Sequence, residues 1–153
     1  MSGEADAARE PRRVPADLAR LFDAYALVEA QEALGLDEAQ YAQFVGRYRA
    51  LLETRRQHNV ARLRLVQELN RLTRGTRVPT DEVLGARLKA LDDHDLQAAQ
   101  ANASARAQVE DILSLRQRAR FRVFETELER KKFELMGRAR DAARPGGRRG
   151  PPA

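Results

Sequence analysis

The chain has 153 residues, 42% of them hydrophobic and 5% aromatic, with 28 Lys+Arg against 23 Asp+Glu, a formal net charge of +5, and neither Cys nor Trp. This length is one domain's worth, and a composition rich in Ala, Leu, Arg, Glu and Gln and poor in aromatics excludes a β-sandwich or barrel and predicts an all-α fold. Zero Cys excludes disulfides, thiolate metal sites and thiol catalysis, and no stretch reaches the ~18–20 apolar residues that a membrane span requires.

Charge changes sign along the chain. Residues 1–41 and 81–111 are acidic, whereas 42–75 and 116–144 are basic and mostly Arg. Successive helices of opposite sign favour mutual packing and leave basic faces open to acidic partners. Met1 to Pro15 contains Pro11 and Pro15 and no apolar core of the kind an export signal needs. This segment, 1–15, and the Pro/Gly/Arg tail 144–153 are expected to be disordered, and 16–143 to form a single helical domain.

A first helix is expected from Ala16 to Leu34, with Leu18, Leu21, Phe22, Tyr25 and Val28 three and four residues apart and Gly35 as its stop. A second begins after Asp37 and runs without Pro to Thr73 or Arg74, where Gly75 to Pro79 is the strong interior breaker. Its apolar stripe reads Tyr41, Phe44, Tyr48, Leu51 and Leu52, falters through Arg55, His58 and Asn59, and resumes at Leu63, Val66, Leu69 and Leu72. The third helix has Thr80 as N-cap, Asp81 and Glu82 in its first turn, and a stripe of Leu84, Leu88, Leu91, Asp95, Ala98, Asn102, Ala105, Val109 and Ile112. The centre of each is polar or small. Together they predict a long antiparallel hairpin flanked by N- and C-terminal helices.

Two helix starts share one pattern: Leu36-Asp37-x-x-Gln40-x-x-x-Phe44 and Leu113-Ser114-x-x-Gln117-x-x-x-Phe121. In each, the Asp or Ser can cap the helix while the Gln three residues on reaches back to the cap's amide, with the Leu and Phe as apolar anchors. These paired starts around a long hairpin resemble the Leu-Thr-x-x-Gln motifs of the Spy/CpxP family. The resemblance extends over residues 34–140, and Arg118 to Glu125 and Glu129 to Met136 are similar to that family's closing helix. Asp37 and Ser114 stand where the family has Thr. What the resemblance implies is a bent, cradle-shaped helical homodimer of the bacterial periplasm, without enzymatic activity. It would be an ATP-independent chaperone of unfolded proteins or an envelope-stress regulator acting on a sensor protein. Heavy-metal sensors of the CnrX type belong to the same class. Without an export signal in the sequence, a cytoplasmic location stays open.

The residues expected to bind a client or partner are Arg55, Arg56, Arg62 and Arg64, with Leu51, Leu52 and Leu63 beside them, where cations interrupt an apolar stripe. A turn near Arg77 brings residues equidistant from it face to face. This places Arg62 near Asp92 and Asp93, and His58 and Asn59 near Asp95. It also sets His58 within about a turn of His94, the other histidine. One reading is a salt-bridged seam. The other is a site for Zn, Ni or Co, with His58 and His94 as ligands and no other cofactor. Gly-rich phosphate loops, a Ser-centred elbow and paired catalytic carboxylates are absent from the sequence, so no enzyme is expected. Arg dispersed over long helices among Glu argues against a DNA reader, leaving salt-dependent nucleic-acid association as a further alternative.

Overall fold

The computed structural model describes residues 14–144. They form four helices, α1 (Val14–Leu34), α2 (Glu38–Arg74), α3 (Asp81–Glu110) and α4 (Leu115–Ala143), and no strand. The all-α expectation therefore holds. Of the ends expected to be disordered, residues 1–13 and 145–153 lie outside the described residues, while Val14 and Pro15 open α1. Proline is compatible with that place because the first helical turn has no intrahelical acceptor for its missing amide.

The helices fall into two compact units, α2 with α3 and α1 with α4. In the first, α2 has 37 residues, about 55 Å at 1.5 Å per residue. Asp37 starts it as a complete capping box: its carboxylate accepts from the Gln40 amide at 2.7 Å and the Gln40 side chain accepts from the Asp37 amide at 3.4 Å. Thr80 caps α3 by accepting from the Val83 amide. The two helices run antiparallel, as the cross-links Arg47 to Gln108, Arg62 to Asp95 and Arg87 to Glu68 establish.

Burial in this unit is concentrated at the end away from the turn. Leu36, Phe44, Tyr48, Leu51, Val109 and Leu113 are buried, and Phe44 stacks on Tyr48 with centroids 5.1 Å apart. From residue 52 to 108 no side chain is fully buried. That follows from architecture, since two helices offer each other one stripe apiece and leave the flanks in water.

In the other unit, Ala26, Leu27, Ala30 and Leu34 of α1 and Phe121, Phe124 and Leu128 of α4 are buried. The pair is also antiparallel, with Gln117 bonded to Gly35 at one end and Lys131 over the Tyr25 ring further along. Gly35 ends α1 at φ 63°, in the left-handed region that a residue without Cβ enters freely.

Candidate partner-binding surfaces

The repeated motif builds a reciprocal pair of bonds. Gln40 donates from Nε2 to the Ile112 carbonyl at 3.3 Å, and Ile112 immediately precedes the second motif. Gln117 donates from Nε2 to the Gly35 carbonyl at 3.2 Å, and Gly35 immediately precedes the first. Each glutamine therefore satisfies the carbonyl that immediately precedes the other copy of the motif. Carbonyls at helix ends lack intrahelical donors, and a neutral amide can supply one. At the first copy Gln40 accepts through Oε1 and donates through Nε2 at once, which Glu cannot do. Leu36, Phe44, Leu113 and Phe121 are buried as anchors. At the second copy, α4 starts at Leu115, directly after Ser114.

In the middle of the hairpin the sequence register holds to within a turn. His58 and His94 face each other with ring centroids 5.5 Å apart. Arg62, expected opposite Asp92 and Asp93, instead reaches Asp95, with Nε to Oδ1 at 3.0 Å and Nη2 to Oδ2 at 3.5 Å. The offset is less than one helical turn, within the reach of a long guanidinium side chain. Asp93 takes Lys89 of its own helix at 2.6 Å. The Arg62 guanidinium that donates to Asp95 holds its carboxyl below the usual carboxylate range, and the His94 ring acts in the same direction. Among the described residues no group of three or more His, Asp or Glu side chains converges as a metal cage.

The residues expected to bind a partner separate onto two faces of α2. Leu51 is fully buried, and Arg62 turns inward to the seam. At 3.6 residues per turn, Arg55 shares that inward side with His58 and Ala61. Leu63 is 57% exposed and Arg64 is exposed, while Arg56 is exposed and paired with Glu53 of its own helix at 2.7 Å. Leu52 is half-buried at the margin. Val60, 47% exposed, lies four residues from both Arg56 and Arg64 and three from Leu63. These spacings place Arg56, Val60, Leu63 and Arg64 on one outward surface. Val60 did not stand out in the sequence, though its spacing to the two arginines carries the signal. The inward stripe beyond His58 is Ala61, Leu65, Leu69 and Leu72, all half-buried, so the expected Leu63 and Val66 are corrected to exposed positions.

A second apolar surface lies between α1 and α4. Leu18, Leu21, Phe22, Tyr25 and Leu135 line a groove of about 390 Å³ with Lys131, Glu134 and Arg138 around it. Leu21 is 69% exposed, and Val28, Val123 and Phe133 are also largely exposed. Among the described residues no helix is long and apolar enough to cross a membrane. No family model, no curated protein and no solved structure matches the chain.

Proposed function

We propose that the protein is a non-enzymatic binding protein of Spy/CpxP type, a periplasmic homodimer that holds unfolded or partner proteins without ATP or a cofactor. The observation that carries this reading is the outward face of α2, where Val60 and Leu63 are exposed between Arg56 and Arg64. Guanidinium groups attract acidic segments at long range, and their stems together with Val60 and Leu63 add apolar contact. No fixed pocket is needed, so clients of mixed sequence can be held loosely and released. The reciprocal Gln40 and Gln117 bonds support the family reading, since they give the paired motif a physical task just before each copy.

Dimerisation is supported by the exposed apolar groove of α1 and α4. A large exposed apolar surface is costly in a monomer, and a twofold contact would cover the same groove on both copies. The reading is tested by diluting an unfolded client with and without the protein at low and high salt. Suppression of aggregation that weakens as salt screens the arginines is expected. No suppression of any client would remove the chaperone role and leave a dedicated regulatory partner. A heavy-metal sensor is the second reading, favoured by the facing imidazoles of His58 and His94. Nucleic-acid association would show itself as steeply salt-dependent binding to unrelated duplexes.

A further inference from the structure

We propose that His58 and His94 form a two-imidazole site for a late divalent transition metal, clipping α2 to α3 midway along the hairpin. This rests on and deepens the second, metal-sensing reading, and it does not depend on client binding. The ring centroids lie 5.5 Å apart at an interplanar angle of 61°. Two imidazoles sharing one ion through bonds of about 2.0–2.1 Å hold their centroids about 5 Å apart. The terminal torsion of His58 is broad, so its ring can turn toward a shared ion.

The second observation concerns His94. Its Nδ1 lies 3.4 Å from Asp95 Oδ1, and Asp95 is itself held by Arg62. An ionised carboxylate beside Nδ1 favours the proton there, leaving Nε2 as the nitrogen with a lone pair; this is the arrangement by which carboxylates orient metal-binding imidazoles. Nε2 is buried and has no hydrogen-bond partner. A buried acceptor left unpaired is costly, and a metal bond would satisfy it. Of the nearby cations, Arg62 is paired with Asp95, which lowers its repulsion on an incoming ion. His58 is half-buried, so the ion is reached from solvent, with water filling its other positions. Zn, Ni, Co and Cu(II) accept such nitrogen and water sets, whereas Mg and Ca prefer all-oxygen ones.

The test uses the full chain and Ni(II), Zn(II) or Cu(II) alone, titrated at neutral pH by calorimetry, with nitrogen coordination read from the Cu(II) electron paramagnetic resonance spectrum. One ion per chain, two coordinating nitrogens and a metal-dependent rise in Tm are expected, because an ion bound to the folded hairpin stabilises it. His58→Gln and His94→Gln should each lower affinity at least tenfold and abolish the rise in Tm, with helix content unchanged by circular dichroism. Asp95→Asn should lower affinity about 10–100-fold as a positioning residue, and acidification should weaken binding because the ligands must be deprotonated. Absence of binding by the wild type, or unchanged affinity in either single His variant, overturns the proposal.

Discussion

Gln40 has a task that only an amide can perform. Replacing it by Glu keeps the acceptor that closes the Asp37 capping box but aims a carboxylate at the Ile112 carbonyl in place of an N–H donor. Gln40→Glu is therefore expected to destabilise by about 1–3 kcal/mol through the unpaired carbonyl and the added repulsion, measured by urea unfolding. A variant as stable as wild type would show that the bond to Ile112 contributes nothing. Asp95 supplies a pH dependence whose sign is fixed by its lowered folded-state pKa. Its ion pair contributes fully above the ordinary Asp value of 3.8 and is lost as pH falls below it through the lower folded value. Asp95→Asn should flatten the decline of the unfolding midpoint in that acidic range, and an unchanged pH profile would contradict the assignment.

At the scale of the helix, the legible features were those written locally. Gly35, Asp37, Gly75 and Thr80 are stop and cap residues, and helix ends fall beside all four. The short turn between α2 and α3 also set the register, which is why His58 met His94. The inward face of α2 past residue 58 was legible only in part. Apolar residues occur on both sides there, and over several turns a 3.6-residue helix drifts from any near-heptad pattern extended from Phe44, Tyr48 and Leu51. Leu65 consequently lies on the inward stripe where Leu63 and Val66 were expected, Leu69 and Leu72 are half-buried as expected, and Leu63, still a candidate partner contact, lies on the outward face. Two substitutions separate these roles. Leu69→Ala should cost about 1–2 kcal/mol as a half-buried packing residue, while Leu63→Ala should stay within about 0.5 kcal/mol and weaken client holding. Equal stability losses in thermal unfolding would return Leu63 to the core.

For the molecule as a whole, the exposed apolar groove of α1 and α4 predicts self-association. Sedimentation at micromolar concentration should give a dimer, and Leu21→Arg, at a 69% exposed position, should give a monomer with unchanged helix content. A wild-type monomer at every concentration would contradict this. The outward face of α2 is the centre of the functional account, and of the four arginines expected to bind a partner, Arg56 and Arg64 lie on it. Reversing Arg62 would set like charges against Asp95 and disturb the hairpin itself, so Arg56 and Arg64 are the informative pair. The measurement is suppression of client aggregation by the Arg56→Glu, Arg64→Glu double variant at low salt, with helicity and Tm checked alongside. The account predicts that a folded double variant loses most of the suppression seen with the wild type; full suppression by that variant would contradict it.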